Sequence, residues 1–156
     1  MANRLVDLLI TYRIVKLLST PWEQQEAYKM GIIDKNGKIL KKANTLNTEA
    51  EKDAYTVLHR FAFNVKRLLS KAGLGSSLSS FAVALATIMK ESAELRKHKS
   101  LIESTLISYF KQIDVYDKLL NEVRVIKESN EEPFMTCFGI DIYERNGELI
   151  SEYEKI

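Results

Sequence analysis

The residues of this chain with chemistry to offer are two histidines, one cysteine, a glycine–serine loop and several carboxylates. His59 stands beside Arg60 with no cysteine or aspartate at a ligand spacing, so it reads as a helix-surface or boundary histidine and not as a metal ligand or general base. His98 sits among Arg96, Lys97 and Lys99 and reads as solvated. Neither completes a nucleophile–base pair. Gly73-Leu74-Gly75-Ser76-Ser77 precedes a helix and follows Arg67 and Lys71, a setting in which backbone amides can hold a phosphate or carboxylate. A phosphate loop also needs a lysine after the glycines and a strand before them, and both are missing, so a helix–helix turn is the better reading. Glu91 and Glu94, like Asp114 and Asp117, share a helix face but alternate with cations, as a solvated surface does. Acid pairs that work on a substrate need a cleft, which spacing does not supply. The lone Cys137 excludes an internal disulfide and a four-thiolate metal site, and in an alternating segment it reads as a small buried hydrophobe. Trp22 reads as a core anchor. No cofactor or metal is expected.

Cations make the more specific pattern. Arg60, Asn64, Arg67 and Lys71 succeed one another at spacings of four, three and four, with Lys66 alongside. On a helix they form one basic line, able to neutralise a few phosphates or to meet an acidic protein surface. A pI near 8.5 is modest for a nucleic-acid binder, and no helix-turn-helix or aromatic RNA-binding signature accompanies the line. The charge is also unevenly placed. Residues 1–75 hold 13 Lys and Arg against 7 Asp and Glu, whereas residues 76–156 hold 10 against 14. A basic front and an acidic tail can attract each other within one molecule or between copies, or serve as two ordinary solvated surfaces.

The elements that must carry these residues are mostly helical. Asn3 can cap a first helix over 4–18, with Leu5, Leu8, Leu9, Tyr12, Val15 and Leu18 at helical spacing. That apolar run is broken by Asp7, Arg13 and Lys16 and lacks a small-residue cleavage site, so it reads as an amphipathic helix and not a signal peptide. Thr20-Pro21-Trp22-Glu23 has the form of a capping box opening a second helix, and Gly31 is placed to end it. Asn36-Gly37 signals a hairpin between two short apolar runs. Ile32–Leu40 and Ile142–Ile150 repeat one phrase, with acid, base, Asn and Gly in the same order. Thr48 and Glu51 form a capping box for one long helix over 48–72. A nearly all-apolar helix over about 78–95 belongs at a centre, a helix over 101–112 opens on a Ser100–Glu103 box, and another runs from Asp114 through Lys127. Beyond Pro133, alternation of Phe134, Thr136, Phe138, Ile140 and Ile142 predicts a half-buried strand. No apolar run approaches the roughly 20 residues that span a bilayer.

The order DLLITYRIVKLLSTPWEQQEAYKMGIIDKNGKILKK, then EKDAYTVLHRFAFNVKRLLSKAG, then SSFAVALATIMKE resembles a group of small tailed-bacteriophage proteins. The shared order is a helix, a TPW or TPF turn, a GIID hairpin, an amphipathic helix of FN-KRLL character, a Gly/Ser loop and an Ala-rich helix. The similarity covers residues 5–91. It implies phage origin and a role in the virion or head assembly, and it brings no catalytic residues. That family ends in a polar, Gly-rich tail, whereas residues 128–156 here read as an acidic hairpin.

The expectation is a mainly α (α+β) single domain over 1–156, a compact bundle of about five helices over 3–127 with small hairpins near 32–41 and 134–153. The expected function is that of a non-enzymatic phage structural or assembly protein. It would be a virion or capsid-associated component that contacts other virion proteins or itself in the host cytoplasm, with no membrane partner. Arg60, Lys66, Arg67 and Lys71 would meet the partner. The alternative is a nucleic-acid-binding accessory protein using the same basic face.

Overall fold

The computed structural model describes residues 4–72, 74, 76–120, 123–124 and 132–154. The expected Asn3 cap, the glycines of the 73–75 loop and the end of a helix at Lys127 lie outside the described residues. The fold is α+β and mostly helical, with a small antiparallel sheet. Two compact units, Met1–Arg67 and Leu68–Ile156, divide the chain.

In the first unit, α1 spans Arg4–Ser19. Its end is chemical: the Ser19 hydroxyl donates to the Val15 carbonyl at 2.8 Å and the Thr20 hydroxyl to that of Lys16 at 2.6 Å, and Pro21 cannot continue the ladder. Thr20 thus closes α1 and does not cap the next helix. In place of the expected continuous helix, Pro21 leads into a 3-10 turn, Trp22–Gln24, and one short turn of helix, α2 (Glu26–Lys29). Gly31, at φ +72°, does end α2 as expected: its amide bonds Tyr28 and the Ile32 amide reaches back to Ala27, the pairing of a left-handed C-cap. The Asn36-Gly37 hairpin is reduced to a single bridge, Ile33 to Ile39. The Asp34 carboxylate accepts from the amides of Asn36 and Lys38, both at 2.8 Å, and winds the turn around itself, holding its carboxyl below the usual carboxylate range.

The long helix over 48–72 is two. Thr48 and Glu51 make the expected capping box, but α3 (Glu49–Ala54) stops at Tyr55 and α4 (Val57–Leu69) begins afresh. Thr56 causes the break by acting as a second cap. Its hydroxyl accepts from the His59 amide while its own amide donates to His59 Nδ1, so histidine occupies the position that glutamate holds in a capping box. Ala27, Ile32, Ile33, Leu46, Ala54, Tyr55 and Phe63 form the core of this unit, edged by Leu17 and Trp22.

In the second unit, α5 (Leu78–Glu91) is the central element, as its composition predicts, with Phe81, Ala82, Leu85, Ala86 and Met89 fully buried. Ser92 caps a separate short α6 (Ala93–Arg96). Helix α7 (Lys99–Gln112) starts before the expected Ser100 cap, with His98 at its N-cap. Glu103, freed from a capping role, accepts from Lys99 Nζ and from the Phe138 amide. Asp114 terminates α7 in the left-handed region (φ +62°), with the Val115 amide reaching the Phe110 carbonyl, so it ends one helix where it was expected to start another. The short α8 (Tyr116–Leu119) comes next.

Strand β1 (Val123–Arg124), in the stretch expected to be helical, pairs antiparallel with β5 (Tyr153–Glu154). Between them β2 (Met135–Cys137), β3 (Ile140–Arg145) and β4 (Glu148–Ser151) form a three-stranded meander against α5. The expected hairpin is its second half, turned at Asn146-Gly147 with φ +53° and +82°. The expected continuous strand through Phe138 folds back at Phe138-Gly139, a second turn with both φ positive (+54° and +75°).

Candidate functional site: an exposed face of the first helix and the groove beside it

The basic line does not form one open face. Lys66 is half-buried, its ammonium donating to the carbonyls of Leu18 (3.2 Å) and Thr20 (2.7 Å) and lying 4.8 Å from the Trp22 ring centroid. It thereby serves the carbonyls that α1 leaves without intrahelical partners. Burial lowers the pKa of this ammonium. Arg67, also half-buried, donates from Nη1 to the Gly37 carbonyl at 2.6 Å. Arg60 is half-buried as well, and Lys71, though exposed, lies in the turn after α4. Two of the four cations therefore hold the loops of their own unit. Gly37 shows how tightly: a Cβ there would meet the Trp22 ring at 2.5 Å, while its carbonyl carries the arginine.

The open face lies on α1, and it is apolar. Leu5, Leu8, Leu9 and Tyr12, spaced as one helical stripe, are 75%, 68%, 53% and 60% exposed, whereas Ile14 and Leu18 are the buried residues of this helix. Helical spacing puts Leu5 to Leu18 on one face; the structure separates them. Helix α1 carries apolar residues nearly all round, so spacing alone does not choose which stripe a small unit covers. Together the four exposed side chains present roughly 400 Å² of apolar surface, within the range of the largest apolar patch on a typical monomer. Arg4, Arg13 and Lys16 surround it, with Asp7 the one acid of the helix. Lys16 lies 5.6 Å from the Tyr12 ring centroid.

The stripe runs into a groove of about 350 Å³ whose lining includes Tyr12, Arg13 and Lys16 of α1, Gln25, Glu26 of α2 and His59 of α4. Gln25 is buried and its side-chain amide donates to the Leu17 and Thr20 carbonyls, both at 3.1 Å, which fixes the floor. His59 Nδ1 accepts from the Thr56 amide at 3.3 Å and contacts the Thr56 hydroxyl at 2.7 Å, so the neutral ring carries its proton on Nε2. Burial, reinforced by the Arg13 charge, lowers the His59 pKa. A neutral N–H donor, a guanidinium and an ammonium thus share one concavity.

Other sequence candidates fall elsewhere. His98 caps α7. Cys137 is fully buried, its thiol pushed up to about 11 by burial. Glu94 pairs with Lys97 at 3.5 Å on an exposed surface. Among the described residues no cluster of His, Cys, Asp and Glu suited to a metal ion occurs, and no helix is long and apolar enough to cross a membrane. Compared with protein-family models, curated proteins and solved structures, the chain finds no match.

Proposed function

We propose that this chain is a non-enzymatic structural or assembly protein of a tailed bacteriophage, a virion component that works through protein–protein contacts. The observation that carries the reading is the exposed stripe Leu5, Leu8, Leu9 and Tyr12, which leaves in water a surface large enough to bind a partner. The likeness of residues 5–91 to small phage proteins gives that partner its setting: other virion proteins, met in the host cytoplasm during assembly. The alternative of a nucleic-acid accessory protein has less support, because Lys66 and Arg67 donate to carbonyls of their own unit.

The test tracks the chain through assembly. On gradients of cells producing particles, a tagged copy is expected to travel with capsid-sized assemblies. Leu8→Glu, at a position 68% exposed and so neutral to the core, is expected to move it to the light fractions. A wild-type chain that stays in the light fractions at every stage sinks the reading.

A further inference from the structure

We infer that the α1 stripe and its groove together dock an acidic amphipathic helix of a partner protein, apolar side chains on Leu8, Leu9 and Tyr12 and one carboxylate in the groove. The inference rests on the protein-contact reading and names the chemistry of the partner.

Tyr12 belongs to both the stripe and the groove, so one ligand can use both. The stripe's spacing of three, one and three residues is the pattern by which helices meet along apolar faces. Charge then selects the partner. Three cations and one acid lie on α1, and Arg13 and Lys16 make no ion pair among the described residues. The single acid in the groove lining, Glu26, is 3.2 Å from Lys29. Arg13, Lys16 and His59 all line the groove and all have N–H groups to donate, which suits a carboxylate, an acceptor with two oxygens.

A second copy fits less well. Pairing two stripes brings two sets of Arg4, Arg13 and Lys16 together, so like charges face each other across the contact. An acidic helix meets the same apolar surface with opposite charge.

The probe is a labelled synthetic helix with leucines at the same spacing and glutamates flanking them, beside versions with glutamine or lysine in place of every glutamate. Binding to the full chain is read by fluorescence anisotropy. The glutamate peptide is expected to bind at least tenfold more tightly than the glutamine one, and the lysine peptide more weakly still. Leu8→Glu should abolish binding, and Arg13→Glu should remove the preference for glutamate, with circular dichroism and Trp22 emission unchanged in both. If the three peptides bind alike and Leu8→Glu still abolishes binding, the carboxylate assignment falls while the protein-contact reading stands. If no peptide binds and Leu8→Glu instead converts a sedimenting dimer to monomer, the occupant is a second copy and the inference is overturned. If no peptide binds but vesicles of anionic lipid do, with loss on Leu8→Glu, both readings fall.

Discussion

Gly37 is the position at which the packing of the first unit is most sharply testable. It holds φ +81°, and a Cβ would lie 2.5 Å from Trp22 Cζ2 and 2.6 Å from Cε2 and Cη2. Carbon atoms pack at about 3.5 Å or more, so alanine forces the ring or the loop to give by about 1 Å. The ring has little room, with Phe63 edge-on at 5.5 Å and the Lys66 ammonium at 4.8 Å. A left-handed alanine costs about 1–2 kcal/mol, and overpacking adds about 1–3 kcal/mol. Gly37→Ala should therefore cost about 2–5 kcal/mol. Gly31→Ala is the internal control: φ is +72° in the same unit, but nothing lies within 4 Å of the added Cβ, which leaves only the backbone cost of about 1–2 kcal/mol. Urea unfolding monitored by the emission of Trp22, the chain's single tryptophan, reads both variants in one transition. Equal destabilisation by the two substitutions, or native Trp22 emission unchanged in Gly37→Ala, would refute the contact.

Lys66→Met keeps the stem over Trp22 but strips the donor from the Leu18 and Thr20 carbonyls; a loss of about 1–3 kcal/mol is expected in the same urea assay. His59 gives the first unit a pH dependence. Its folded pKa lies below the ordinary value of 6.5, so the unfolded chain binds the proton more readily, and stability is full above about pH 6.5 and lost as pH falls through the folded pKa. Arg13 and Lys16 from α1 and Glu26 from α2 line the same groove as His59, Thr56 contacts its Nδ1, and His59→Gln should flatten the profile of urea midpoints between about pH 8 and about pH 5. Cys137, fully buried with its thiol at about 11, should resist a thiol reagent in native buffer and react promptly in denaturant; prompt native labelling would contradict its burial.

Local chemistry was legible where one residue type had one use. The Thr48–Glu51 box, the Gly31 terminus, the apolar α5 and the Asn146-Gly147 turn all stand where their residues indicate. The misses share a cause: a side chain with two uses took the less obvious one. Thr56 and His59 are a cap that splits a periodic run, invisible because histidine stands where glutamate is expected. The repeated phrase is the sharpest case. Asp34 and Glu144 occupy equivalent places before Asn-Gly, yet the shorter carboxylate folds back onto the amides of Asn36 and Lys38, whereas Glu144 reaches Lys90 at 3.0 Å and leaves its turn to pair as strands. One methylene separates an Asx-type turn from a hairpin.

The candidate site was hidden by the same ambiguity, this time of charge and apolarity together. A row of cations on a helix invites a functional reading and a row of leucines invites a structural one. Here α4 directs Lys66 and Arg67 at carbonyls of their own unit, because α1 ends beside them and the Gly37 turn needs an anchor. The leucines of α1 stay in water because the elements after it are too short to cover it: a 3-10 turn, one turn of helix and a single-bridge loop stand where longer elements were expected. The two assignments are linked. Shortening the elements after α1 exposes its stripe and also creates the loop backbone to which Lys66 and Arg67 donate. Lengthening α2 in a redesigned chain should thus cover the stripe and release Lys66 together, and solvent accessibility of Leu8 and the Lys66 pKa should move in concert.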